Sequence, residues 1–215
     1  MQPLALAHTF GNTLHNCKKN IVQLQLIERV LRGVTRIRLS LGRIALGETT
    51  VVIVNWNSEE FLDVTLNAVT LNSPPGTRVV VVDNQSTDNS REVSQKYPMT
   101  RWIGLPYNVG HGLALDVGFL LARTEYVVSL DVDAFPVSPQ WIDRLIAPLE
   151  GGYAVAEAHM RGGFVHPCCL AMKLDRFVEM KHSFVPRYGH RLARSALDSG
   201  APGWDTGCNI SMREP

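Results

Sequence analysis

Asp131 and Asp133 end the apolar run YVVSL, so their backbone emerges directly from the interior of the protein. Two carboxylates this close repel each other unless a cation sits between them. Hard divalent cations take carboxylate oxygens and commonly keep substrate phosphate oxygens as further ligands. Alternate residues of an extended chain face opposite sides, so a bend is needed if both carboxylates are to reach one ion. A solvated turn carrying two ordinary aspartates is the alternative. Three other polar clusters could do chemistry. Asp83-Asn84-Gln85-Ser86 offers donors and acceptors suited to a base or a ribose, or else a turn whose side chains bond the local backbone. Trp56, between Asn55 and Asn57, offers a flat apolar face for a base to stack on, or packs against the neighbouring helix. Gly110 and Gly112 flank His111 after Asn108, where small residues let a ligand approach backbone amides. His159 and His166 flank Arg161-Gly162-Gly163 and could meet a diphosphate or an acceptor, or simply line a surface loop.

Each of the first four clusters follows an apolar run, and those runs alternate with helical spacing. Thr50–Val54 is a continuous β-branched run and predicts a buried strand. Ser58 is placed to cap a helix with Phe61, Leu62, Leu66 and Val69 on one side. After the turn Ser73-Pro74-Pro75-Gly76, strands are predicted over Arg78–Val82, Thr100–Leu105 and Tyr126–Leu130. Helices fall between them, a short polar one over Asp88–Lys96 and one with Leu113, Val117 and Leu121 on a face. Ser138 and Pro139 should open a last helix carrying Ile142, Leu145, Ile146 and Leu149. This order predicts an α/β domain, a mainly parallel Rossmann-like sheet flanked by helices, with ligands bound beyond the carboxyl ends of the strands. No GxGxxG follows the first strand and no GxxxxGK[ST] loop occurs, so neither a dinucleotide fingerprint nor a Walker-type phosphate loop is expected.

Residues 1–47 differ from residues 48–215 and read as an N-terminal helical extension. Leu24, Ile27, Leu31, Val34, Ile37, Leu41 and Ile44 recur at helical steps, with Arg29, Arg32, Arg36, Arg38 and Arg43 among them. Such a basic amphipathic segment, residues 20–46, suits peripheral contact with an anionic membrane surface. A helix that docks on the domain or on another chain is the alternative. Lys and Arg total 21 against 20 Asp and Glu, so the chain has no overall field for gripping nucleic acid and no nucleic-acid partner is expected. Cys17, Cys168, Cys169 and Cys208 form no CxxC pair, which argues against a zinc site by spacing, and no disulfide framework is evident. Cys168 and Cys169 are expected to pack as small hydrophobes. With no apolar stretch of about 18 residues and no secretory signal pattern, the expected location is the cytoplasm or the cytoplasmic membrane face.

Taken in order, the stretches VVIVNWNSEEFLDVTLNAV, VVVVDNQSTDNS, NVGHGLALDVGF and LDVDAFP resemble family 2 glycosyltransferases with the GT-A fold, over residues 49 to about 210. The resemblance implies inverting hexosyl or deoxyhexosyl transfer from a nucleoside-diphosphate sugar donor, with Mn2+ or Mg2+. The acceptor would be a hydroxyl on a glycan, a lipid or another molecule, as in polysaccharide biosynthesis. It implies a base pocket lined by Val54, Trp56 and Asn57, base or ribose contacts from Asp83 and Asn84, with Ser86, Asn108 and Gly110 also at the nucleotide-sugar site. Asp131 would lie near the ribose or sugar and share the metal with Asp133. Relatives often carry two acids where this chain has Asp83-Asn84, and Asn where it has Asp116. Their catalytic carboxylate usually sits in an acidic pair, whereas the candidate here, Asp205 in GAPGWDTGCNIS, has no second acid beside it. A non-catalytic binding module of the same fold is the alternative. A nucleotidyltransferase ranks below it, since the glycine- and lysine-rich N-terminal loop is missing.

Overall fold

The structure, a computed structural model, describes residues 45–158 and 166–185. Asp205, His159 and, but for Ala45 and Leu46, the basic segment 20–46 lie outside the described residues. Six strands form one sheet in the order β3-β2-β1-β4-β6-β5. They are β1 (Ala45–Asn55), β2 (Arg78–Asp83), β3 (Thr100–Gly104), β4 (Thr124–Leu130), β5 (Val155–Glu157) and β6 (Cys169–Lys173). The helices are α1 (Glu59–Asn72), α2 (Ser90–Gln95), α3 (His111–Leu121), α4 (Trp141–Glu150) and α5 (Leu174–Glu179).

The central strand shows why the run at its heart is uniformly β-branched. Val51 and Ile53 face a core that holds Leu62, Leu66 and Val69 of α1 and Ile142, Leu145 and Leu149 of α4. Val52 and Val54 face the opposite core, with Leu115, Phe119 and Leu120 of α3 and Phe177 of α5. A strand buried on both faces has no polar side to alternate with. On the α3 side Phe119 lies 4.9 Å from both Phe177 and Phe184, ring centre to ring centre. Gly118 permits close approach of α3, because a Cβ there would lie 2.2 Å from Val52 Cγ1.

The sheet is mixed. β1 pairs in parallel with β2 and β4, and β2 with β3. β6 runs antiparallel to both β4 and β5, a return that the strand–helix alternation did not announce. Four local expectations need correction. Residues 45–47, expected as the end of the helical extension, open strand β1. Ser58 stands at the N-cap position of α1 without a side-chain cap bond, since its hydroxyl donates to the Trp56 carbonyl. Phe61 is exposed, because the buried stripe of α1 runs through Leu62, Thr65, Leu66 and Val69. α4 starts at Trp141 rather than at Pro139, since Ser138 first makes a turn that bonds Gln140 through its hydroxyl and Trp141 N–H through its carbonyl. α3 is buried from Gly112 to Leu120, on nearly every side, because the segment at residues 183–185 covers what would otherwise be its outer face.

Candidate functional site

Parallel pairing aligns the carboxyl ends of the strands. Asn55 stands beside Asp83, and Asp83 beside Gly104, while β4 runs alongside β1. The segments that leave β1, β2, β3 and β4 therefore share one sheet edge. Beyond it lies an open cleft of about 350 Å³, lined by Val54, His111, Asp131, Val132, Asp133, His166 and Pro167.

On one side of this edge the loops after β1 and β2 are tied into a single unit. Asp83 is buried, and its carboxylate accepts from Asn55 Nδ2 at 3.0 Å, from Ser86 N–H at 3.0 Å and from the Ser86 hydroxyl at 2.5 Å. The Ser86 oxygen in turn accepts from the Asn57 amide at 2.8 Å, and Asn57 Oδ1 accepts from the Thr87 amide at 2.7 Å. Asn57 and Gln85 both adopt left-handed backbone, at φ 50° and 68°. Asn tolerates this better than most side chains, because its short polar group can bond locally. The consequence is an outward presentation of Trp56, which is 56% exposed at the tip. The alternative of an indole packed against the neighbouring helix is not what forms. Asp83 serves the local turn, with its bonds directed inward.

Asn84 links this unit to the next. It is buried, and its Oδ1 accepts from the Val109 amide at 3.0 Å, while Asn108 Oδ1 accepts from the Gly110 amide at 2.9 Å. Gly110 has φ 84° and precedes α3 directly, a conformation that a side chain would strain. This geometry starts the helix at His111, whose Nε2 lies 3.4 Å from Asp131 Oδ1. His111 thus joins the aspartates, although in the sequence it stood out only as the residue between two glycines.

The chain turns directly after β4. The Ala134 amide donates to the Asp131 carbonyl at 3.0 Å, closing a turn over Asp131-Val132-Asp133, and the Val132 carbonyl accepts from the Thr65 hydroxyl of α1. Asp131 is half-buried and Asp133 exposed. The antiparallel return adds residues to this edge, because Leu130 pairs with Cys169 and the segment before β6 comes to lie beside the segment after β4. The Asp131 amide donates to the Cys168 carbonyl at 2.9 Å. The His166 amide donates to Glu157 at 2.9 Å, and His166 Nδ1 accepts from the Cys168 amide at 3.2 Å.

One ligand atom from each of Asp131, His166 and Cys168 lies within 4.8 Å of the others. Two donors that share an ion at ordinary bond lengths stand roughly 3.5 Å apart, so an ion would draw in atoms that lie up to 4.8 Å apart. The donor chemistry fits a divalent metal. Burial, with the neighbouring Cys168 and Asp131 adding to it, pushes the Cys169 thiol up to about 12, so Cys169 stays a neutral thiol near pH 7. That suits the small-hydrophobe reading for Cys169.

The family model for glycosyl transferase family 2 matches residues 50–169, which span every one of these segments up to the start of β6. Over 155 residues the chain is 26% identical to an uncharacterized glycosyltransferase of Nostoc sp., covering 70% of this chain and 46% of that protein. Over 103 residues it is 33% identical to an uncharacterized glycosyltransferase of Mycobacterium tuberculosis, covering 48% of this chain and 44% of the other. The chain thus spans less than half the length of these relatives. Among solved structures, Staphylococcus aureus TarS in complex with UDP-GlcNAc superposes with a TM-score of 0.55 at 19% identity, over 64% of this chain and 48% of that one. Glucosyl-3-phosphoglycerate synthase from M. tuberculosis, in complex with Mn2+, UDP and glucosyl-3-phosphoglycerate, does so at 0.51 and 17% identity, over 60% and 57%. These likenesses carry the fold.

Proposed function

The chain belongs to glycosyl transferase family 2, and on that premise we propose that it moves a hexosyl or deoxyhexosyl group from a nucleoside-diphosphate donor to an acceptor hydroxyl, with inversion. The observation that carries this reading is the convergence of four polar segments on one sheet edge, together with an open cleft there whose lining includes Val54, His111, Asp131 and Asp133.

In this reading Val54, Trp56 and Asn57 line the base pocket. Asp83, Asn84 and Ser86 meet the base or ribose and also hold the loop that presents Trp56. Asn108 shapes the turn at Gly110, where backbone amides meet the diphosphate. Asp131 lies near the ribose or sugar and, with Asp133, holds Mn2+ or Mg2+. When bound, the ion offsets the charge that develops on the diphosphate as it leaves. Asp205 accepts the proton of the acceptor hydroxyl while that oxygen bonds to the anomeric carbon and the bond to the diphosphate breaks. The acceptor is a hydroxyl on a glycan, a lipid or another molecule. Contact with a membrane is assigned to residues 20–46, and no described helix is long and apolar enough to cross one.

The test is Asp205→Asn, measured for UDP affinity, melting temperature and transfer from a panel of UDP-sugars. Loss of general-base catalysis should lower transfer by about 10²–10⁴-fold while UDP affinity barely changes. Near-normal transfer by the folded variant would remove Asp205 from its role. Absence of metal-dependent UDP binding by the parent protein would count against the donor site itself.

A further inference from the structure

We infer that Asp131, His166 and Cys168 form one metal site whose mixed oxygen, nitrogen and sulfur donors take a zinc-class divalent ion in preference to Mg2+. This site shares Asp131 with the Mn2+ or Mg2+ position proposed above, so a zinc-class ion here would compete for that carboxylate; its binding does not rest on that reading. His166 and Cys168 fall within the last residues of the family match, and the paired aspartates alone do not call for these two groups.

Sheet register sets the donor cluster. Asp131 follows the last residue of β4, Cys168 precedes the first residue of β6, and those two strand ends are paired as Leu130 and Cys169. The amide of Asp131 donates to the carbonyl of Cys168 at 2.9 Å, which fixes the two backbones next to each other. His166 is held two residues upstream by its own amide, which donates to the Glu157 carboxylate of β5 at 2.9 Å. The three ligand atoms lie within 4.8 Å of one another, and all three residues are half-buried. Such a site combines anchored ligands with an open position for water or a phosphate oxygen, the pattern of metal sites that do chemistry.

The donor set decides the ion. Mg2+ demands near-octahedral oxygen ligation and keeps its waters. Thiolate and imidazole are donors that Zn2+ and its neighbours accept readily, while carboxylate is common to both classes. His166 Nδ1 now accepts the Cys168 amide at 3.2 Å. An ion ligated through Nδ1 would displace this hydrogen bond. On binding, the Cys168 thiol would ligate as thiolate.

The experiment titrates Co2+ alone, as a spectroscopic substitute for Zn2+, into the purified full chain without any nucleotide. We expect a thiolate-to-cobalt charge-transfer band that saturates at one ion per chain and is displaced by Zn2+ but not by excess Mg2+. Cys168→Ser should abolish the band, and His166→Gln should weaken Co2+ binding by at least about 10-fold, the lower end of what even outer partners of metal ligands contribute. Asp133→Asn should leave the band in place, and so should Cys169→Ser. Circular dichroism and melting temperature show whether each variant is folded, and Cys168→Ala serves if the serine variant is not. A band that survives in folded Cys168→Ser or Cys168→Ala, or Co2+ binding without any such band, would overturn the assignment. So would absence of Co2+ binding. In each of those cases, UDP binding that still requires Mn2+ or Mg2+ and is lost in Asp133→Asn would leave the donor-site reading standing. Loss of UDP binding under every ion would refute that reading separately.

Discussion

Replacing Asp83 by Asn separates a residue that builds the nucleotide loop from one that only touches a nucleotide. Asp83 Oδ1 accepts from Asn55 Nδ2 and the Ser86 hydroxyl, and Oδ2 accepts from the Ser86 amide. An amide cannot reproduce this set. If its NH₂ takes the Oδ2 place, it faces the Ser86 N–H donor. If it takes the Oδ1 place, it faces the Asn55 NH₂ donor. Either way at least one hydrogen bond to a buried charged acceptor is lost and a donor is left opposed. A bond to a charged group is worth about 1.5–3 kcal/mol, so Asp83→Asn should destabilise the fold by about 2 kcal/mol, a sizeable part of the usual 5–15 kcal/mol, roughly. Urea unfolding read at equilibrium gives the value. Ser86→Ala removes one of the same contacts, so the double variant should cost less than the sum of the singles. UDP affinity should fall as well, since the loop aims Trp56. A stability change under about 0.5 kcal/mol, or strict additivity with Ser86→Ala, would refute the structural role. Loss of UDP binding at unchanged stability would then assign Asp83 to direct contact.

Other perturbations follow from the same packing. Gly118→Ala places a methyl 2.2 Å from Val52 Cγ1 and should cost about 1–3 kcal/mol in urea unfolding. Val52→Ala in the same chain should recover part of that loss, and simple additivity would show that α3 does not lie where described. Asp116 is fully buried and accepts from the Ser183 hydroxyl and the Phe184 amide, so Asp116→Ala should destabilise by about 2–4 kcal/mol. Asp116→Asn, which can still accept from Phe184 and donate to Ser183, should cost clearly less. Trp56→Ala should weaken UDP binding by about 5–100-fold if the indole stacks on the base, with little change in melting temperature, because Trp56 is 56% exposed.

The alkaline limb tests burial at two places at once. Burial, and then Asp63, pushes the Tyr97 phenol up to about 12, and burial, Glu125 and Glu150 do the same for Tyr126. A pKa raised in the folded state means that the native fold favours the neutral phenol. The associated stability is fully present below pH 10, the ordinary tyrosine value, and is lost as pH rises from 10 through about 12. Ultraviolet titration should show these tyrosines ionising last in the native protein and near the ordinary value in urea. A native titration completed near pH 10 would contradict the placement of both.

Fold class was readable because β-branched runs and helical spacing alternate along the chain, and burial on both faces removes the ambiguity of an amphipathic strand. Helix starts were harder. Ser58 and Ser138 have the composition of caps, yet each hydroxyl finds a nearer turn partner, Trp56 O and the Gln140 side chain. Such short-range competition depends on backbone angles that residue type alone does not set. The position of Asp131 and Asp133 was legible because a parallel strand delivers its carboxyl end to the binding edge. His111 was half-legible, through the glycines that let the helix begin there.

His166 and Cys168 were the residues that pattern reading could not join to Asp131. The rule that functional groups follow strands holds for parallel strands, whose carboxyl ends share an edge. An antiparallel strand reverses it and brings to that same edge the residues before the strand. β6 does this, since Leu130 at the end of β4 pairs with Cys169 at the start of β6. The pairing crosses from one carboxyl end to one amino end over a stretch that contains α4 and β5, and nothing in local periodicity reports it. Metal spacing rules search for ligands close in sequence, as in CxxC, whereas the three groups gathered here come from a two-residue His166–Cys168 step and from the sheet register that sets Asp131 beside it. In a mixed sheet, then, the segments that precede antiparallel strands belong in the search for site residues on the same footing as those that follow parallel ones. For this chain that search adds an imidazole and a thiol to an edge that would otherwise be read as carboxylate alone.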